Sequence, residues 1–213
     1  MKAGQQLNTD KGIQVMLFPL EYMNISQDEY GNASHQGSLN MDFLGWGPNG
    51  RIYRCPYYAP CDMTCVYHNT KAWYNVWNSD NEVYLPDGTT GYICLMCIHD
   101  NTLPALGTKV KQGDILGHTG TAGHVTGDHV HLNMAKGLYA GQEQTPQGVW
   151  QLKNSIHLYD GMFINDTTII DGRNHPWQVY EGGYVPPTPT PTPTLKRKNF
   201  PWVLYANKLR KSR

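Results

Sequence analysis

No stretch of this sequence is apolar for long enough to span a membrane, and its opening, MKAGQQLNTDKGIQVMLF, lacks the uninterrupted apolar core of a signal peptide. Synthesis in the cytoplasm without a secretion address is expected on that reading. Charge is scarce: Asp, Glu, Lys and Arg make up 16% of the chain and sum to a formal net charge of zero. That zero hides an asymmetry, because seven basic residues and no acid lie from Leu195 onward, leaving 10 basic against 17 acidic residues before it. An acidic body repels phosphate backbones, so no nucleic-acid partner is expected. The five cysteines form no even framework, which argues against a set of disulfide staples and for reduced thiols. A zinc ribbon is disfavoured too. Cys94 and Cys97 lie in GYICLMCIH, which reads as a buried strand, where residues three apart face opposite sides. These cysteines, with Cys61 and Cys65, are read as small buried hydrophobes.

What the sequence has in quantity is Gly, Pro, Thr, Tyr, Trp and Asn, which favour short strands and long loops over helices. At 213 residues, 39% of them hydrophobic, it can bury one substantial core. The stretch around which the rest is organised is Gly117 to Met134, GHTGTAGHVTGDHVHLNM. A Gly-rich loop there delivers the chain into an alternating segment, so His129 and His131 project from one strand face while Val130 and Leu132 enter the core. Two adjacent imidazoles on a polar face suit a metal ligand beside a proton-transfer group.

Upstream, Ile13 to Leu20 is an apolar strand candidate broken by Pro19. In SHQGSLNMDF, His35 and Asp42 stand seven positions apart, an odd spacing that needs a loop or bulge around Gly37 to bring both to one ion. Arg51 to His68 and Trp73 to Val83 read as strands of an antiparallel sheet, with Trp73 and Trp77 as packing residues. His99 falls at the end of the cysteine-containing strand, where a loop begins. TKVKQGDILG reads as a hairpin about a Gln-Gly-Asp turn leading into the Gly-rich loop. His118 and His124 lie in the Gly-rich loop, either against substrate or solvated, His68, His157 and His175 fit no metal spacing, and Asp128 is a candidate to orient a neighbouring imidazole from behind.

This succession of SHQGSLNMDF, a strand ending at His99 and KVKQGDILGHTGTAGHVTGDHVHLNM resembles the lysostaphin/LytM family of zinc metalloendopeptidases, over about residues 31 to 136. The resemblance implies a mainly β fold, an antiparallel β-sheet groove domain with long loops. It implies zinc held by His35, Asp42 and His131, with His129 and His99 as catalytic partners, and bacterial peptidoglycan as substrate. Which of His99 and His129 is the base is open. Two imidazoles and one carboxylate leave a coordination position for water, the pattern of a catalytic zinc. No His-Glu-x-x-His helix is present, so a histidine must serve as base. The seven-residue spacing departs from the four more usual in that family and approaches the D-alanyl-D-alanine carboxypeptidase type. Those enzymes need a Glu-x-x-His segment that is absent here. A non-catalytic wall-binding or virion module of the same fold is the alternative from another class.

Residues 1–185 are read as the peptidase domain, 186–194 (PPTPTPTPT) as a disordered, extended Pro-Thr linker and 195–213 as a basic aromatic tail. The tail combines basic ends with Trp202 and Tyr205, a composition suited to anionic wall polymer or a membrane surface. A wall-cutting enzyme without a secretion address fits a phage or prophage product, reaching the wall by holin-type release or as part of a virion.

Overall fold

The computed structural model describes residues 1–182. The expected linker at 186–194 and tail at 195–213 lie outside the described residues. Short strands dominate, as the composition predicts, and the one α-helix among the described residues is the four-residue Leu158–Gly161. No helix among them is long and apolar enough to cross a membrane.

A nine-stranded sheet forms the centre. Across it run Lys109–Val110, Met63–Asn69, Tyr74–Ser79, Ile93–Ile98, Val130–Lys136, Met41–Phe43, Tyr22–Gln27 and Thr168–Asp171, with Ser155–Ile156 added to the far end of Val130–Lys136. Neighbours pair antiparallel, except that Thr168–Asp171 lies parallel to Tyr22–Gln27 at the edge. Alternation decides what each face carries. Met41, Phe43, Val130, Leu132, Met134, Ile93, Leu95, Cys97 and Trp77 enter the main core with Phe18, Leu20 and Tyr57. On the other face Tyr74, Val76, Cys94, Met96 and Ala135 pack beneath Leu152. Cys94 and Cys97 therefore belong to different faces, and all five cysteines are free and buried. Burial pushes the thiols of Cys55, Cys61, Cys65, Cys94 and Cys97 up, Cys94 to about 12.

Two local expectations are corrected. Ile13 to Leu20, buried from Val15 onward, makes only isolated bridges, Gln14 to Asn8, Val15 to Tyr84 and Leu17 to Phe163, while the regular strand begins after Pro19 at Tyr22. The arms about Gln112 do not pair with each other: Lys109–Val110 joins Met63–Asn69, and Ile115–His118 joins Pro56–Tyr58. Gln112 is the reason, for its buried amide donates to the carbonyls of Val15 and Pro60 and pins the turn between two sheets. After Lys136, Gln142–Gln144 and Trp150–Leu152 form a hairpin over the second face.

Candidate metal centre

The site stands on the second face of the sheet, where Val130–Lys136 meets Met41–Phe43. His131 lies directly opposite Asp42 in that ladder. Because Met41, Phe43, Val130 and Leu132 point into the main core, Asp42 and His131 must share the other face. His35 arrives differently. It closes the short 3-10 turn Ala33–His35, and Gly37 then turns the chain at φ +69° towards the strand that carries Asp42. The odd spacing is thus absorbed by a turn at Gly37, where a β-carbon would meet the side-chain amide of Gln147 at 2.1 Å.

The three side chains present one donor atom each to a common point. His35 Nε2 is 3.2 Å from His131 Nδ1 and 3.3 Å from Asp42 Oδ1, and His131 Nδ1 is 2.9 Å from Asp42 Oδ1. Donors about 2.0–2.1 Å from a tetrahedral zinc sit about 3.3 Å apart, so this triangle has the size of one face of such a shell. His35, Asp42 and His131 are all buried. His35 Nδ1 faces the carbonyl of Asp28 at 2.9 Å, to which it can only donate, so in the neutral ring the Nε2 lone pair faces the triangle. Asp42 Oδ1 has no hydrogen bond despite its close imidazole neighbours, and His131 Nε2 is likewise unpartnered. A buried carboxylate oxygen against imidazole lone pairs lacks a positive centre, and a metal ion supplies one.

Two further histidines complete the cluster. His129 Nε2 is 3.4 Å from Asp42 Oδ2, and its Nδ1 donates to the carbonyl of Gly127 at 2.8 Å. His99 follows Ile98 in the left-handed region, at φ +82°, and its Nδ1 donates to the carbonyl of Ala122 at 2.9 Å. The rings of His99 and His129 lie 4.6 Å apart between centroids, and those of His99 and His131 6.1 Å. His35, His99 and His129 therefore share one arrangement, with Nδ1 fixed on a backbone carbonyl and Nε2 left for the site. All five residues singled out in the sequence meet here.

Electrostatics differ among them. Burial works to raise the pKa of Asp42, but the imidazoles of His129, His131 and His35 outweigh it and hold the carboxylate well below its usual range. Burial pushes His99 down to about 4 and also lowers His131. His129 is opposed by burial too, yet its contact with Asp42 raises it.

The support behind His35 was not visible in the sequence. The loop residue Asp28, whose carbonyl holds His35, also binds His175 Nε2 through its carboxylate at 2.8 Å. Next to it, Glu29 binds His157 Nδ1 at 2.6 Å and accepts from the hydroxyl of Tyr159 at 2.9 Å. Tyr159 is stacked between the two imidazoles, with centroids 4.8 Å from His157 and 4.7 Å from His175. His157 and His175 thus anchor the loop that carries His35 from more than a hundred residues away, with no spacing to announce it. Asp128, the candidate imidazole partner, accepts instead from Thr119 and from the backbone N–H of Arg54. His68 binds the carbonyl of Pro104, and His118 lies on the strand Ile115–His118, with its backbone N–H on Asp100.

No protein-family model matches the chain. Among curated proteins, Morphogenesis protein 1 of Bacillus phage B103 is 41% identical over 170 residues, 79% of this chain and 45% of that protein. The chain spans less than half the length of that relative. Two solved structures overlap part of the fold. One is a zinc containing peptidase from Vibrio cholerae, 16% identical over 62% of this chain and 43% of its own, with a TM-score of 0.40. The other is the catalytic domain of the antimicrobial peptidase lysostaphin from Staphylococcus simulans, 18% identical over 55% of this chain and 84% of its own, with a TM-score of 0.38. The chain is similar to that phage morphogenesis protein, and its own sheet brings together the His-Asp segment and the HxH strand, as the resemblance to the lysostaphin/LytM peptidases anticipates.

Proposed function

We propose that this chain, with the lysostaphin/LytM arrangement on its sheet, is a zinc-dependent endopeptidase that hydrolyses a peptide bond of bacterial peptidoglycan. The observation that carries the reading is the donor triangle of His35, Asp42 and His131, buried and within reach of two more imidazoles. When bound, zinc supplies a Lewis acid that activates water and polarises the scissile carbonyl. His35, Asp42 and His131 would hold the ion, with the rings of His129 and His99 beside them. Burial keeps the His99 ring neutral near pH 7, so its Nε2 enters as a proton acceptor and hydrogen-bonding group. Between them, His99 and His129 accept the proton of the attacking water, steady the oxygen that develops charge and protonate the leaving amine.

The phage relative bears the name of a morphogenesis protein, which favours carriage on a virion over holin-type release as the route to the wall. The domain layout belongs to the same reading: a peptidase at 1–185, a Pro-Thr spacer at 186–194 and a basic tail at 195–213 that holds to anionic wall polymer or a membrane surface.

Elemental analysis tests the metal, and dye release from labelled cell walls tests the activity. Wild type is expected to carry about one zinc per chain, lost in His131→Ala and in Asp42→Ala. Dye release is expected to stop with a chelator and to return with zinc. A wild type without zinc, or an Asp42→Ala variant that keeps it, overturns the ligand set. Zinc-loaded protein that sediments with walls but releases nothing is a non-catalytic wall-binding module.

A further inference from the structure

The two histidines that hold no metal each stand beside a buried aspartate. Asp100 follows His99, and Asp128 precedes His129. Neither carboxylate touches the site, and Arg54 joins them. Its guanidinium Nη2 donates to Asp100 Oδ1 at 3.0 Å, its Nη1 to the carbonyl of Thr119 at 3.0 Å and its backbone N–H to Asp128 Oδ2 at 3.2 Å. Thr119 closes the circuit: its hydroxyl donates to Asp128 Oδ1 at 2.5 Å and accepts from the N–H of Cys55 at 2.9 Å. Asp100 also receives the N–H groups of His118 and Thr102 at 2.7 and 3.0 Å. The loops that deliver His99 and His129 therefore converge on Arg54 and Thr119, while Arg51 donates to the backbone carbonyl of Asp128.

Backbone conformation indicates that this junction does positional work. His99 at φ +82° and Arg54 at φ +55° both occupy the left-handed region that side-chain-bearing residues seldom adopt. Between them runs Gly120, where a β-carbon would meet the carbonyl oxygen of His99 at 2.0 Å and Nη1 of Arg54 at 2.9 Å. The backbone N–H of Gly120 donates to the carbonyl of His129, and that of His129 donates back to Gly120. Arg54, Gly120, His99 and His129 are thus in direct succession. The zinc ligands have no part in it: Asp42 and His131 are set by their own ladder, and His35 by Asp28.

We propose that Arg54 is a positioning residue whose guanidinium ties Asp100 to the carbonyl of Thr119, the residue whose hydroxyl holds Asp128, and so keeps His99 and His129 as one unit relative to the metal. Only a planar fork with several fixed N–H directions reaches the Asp100 carboxylate and the Thr119 carbonyl together, so lysine does not replace it. The proposal rests on the reading of His99 and His129 as the proton-handling pair.

Arg54→Ala and Arg54→Lys test it against wild type, with three measurements on zinc-loaded protein. In dye release from labelled walls, the saturated rate is expected to fall by about 10- to 100-fold in both variants, because misplacement by about 1 Å costs that much. The wall concentration for half the maximal rate should stay within about twofold, and zinc content should stay at about one per chain. In 15N spectra of histidine-labelled protein, the ring signals of His99 and His129 should move together in both variants while that of His35 stays in place. Rescue by Arg54→Lys overturns the bridging role, leaving charge alone. So do unmoved His99 and His129 signals, or a fall in rate that merely tracks lost zinc. Thr119→Val provides a second way in should Arg54→Ala fail to fold, and is expected to displace the His129 signal. Wild type that releases no dye refutes the peptidase reading, and the ring signals still decide whether Arg54 holds the two imidazoles.

Discussion

Asp42 and His131 reach the site on neighbouring strands, whereas His35, His99 and His129 reach it from turns and strand ends. The two groups are oriented by different means. For the strand pair, register suffices: directly opposed residues on one face meet without further help, and Met41, Phe43, Val130 and Leu132 lock that register by filling the core. For the others there is no ladder to fix the ring, and each Nδ1 is held instead by a carbonyl of Asp28, Ala122 or Gly127. A strand thus sets position cheaply, while a loop residue needs a network behind it. Substitutions in the two regions should consequently fail in different ways.

The largest effect is expected where the difference vanishes, at the ligands themselves. Asp42→Ala and His35→Ala should both lose zinc, and wall hydrolysis should drop by about a thousandfold or more, since the metal contributes several kcal/mol at about 1.4 kcal/mol per tenfold. Equal zinc retention in His35→Ala and wild type would remove the loop-borne ligand from the set. Next comes His99→Ala, which should keep its zinc while losing about 10²- to 10⁴-fold in rate. A near-normal rate there would leave His129 as the sole proton-handling group.

A smaller effect separates loop from strand more sharply. His175→Ala removes the imidazole that binds the Asp28 carboxylate, and zinc affinity measured by competition with a chelator should weaken by about tenfold. An unchanged affinity would show that the Asp28 carbonyl stays in place without the stacked histidines. The smallest is Gly37→Ala. Its positive φ and the contact with Gln147 should cost about 1–2 kcal/mol, read as an earlier urea midpoint with unchanged slope. A midpoint equal to that of wild type would mean that the turn before Asp42 relaxes freely.

How much of this could be read in advance follows a different division. His129 and His131 were legible because a two-residue alternation fixes a strand face whatever lies around it. His35 and Asp42 could be named but not built, since an odd spacing states only that the chain must turn. Residues held by distant partners gave no local signal at all. His157 and His175 have no ligand spacing, and their partners Asp28 and Glu29 lie more than a hundred positions away. Arg54 and Thr119 were silent for the same reason. The misread hairpin at Gln112 shows the converse error, because TKVKQGDILG alternates locally as a hairpin should, and a single buried amide sends its arms to two sheets.

The carbonyl clamps have a further consequence for how this centre tolerates sequence change. Every residue carries a main-chain carbonyl, so substitution at 28, 122 or 127 leaves the acceptor in place provided the backbone path is kept. A side-chain acceptor in the same role would vanish with one codon change, and a carboxylate would also surrender its grip on acidification. Tautomer control in His35, His99 and His129 is thereby written into the path of the chain. Surface loops can drift in sequence around such a centre while three imidazoles continue to present the same nitrogen.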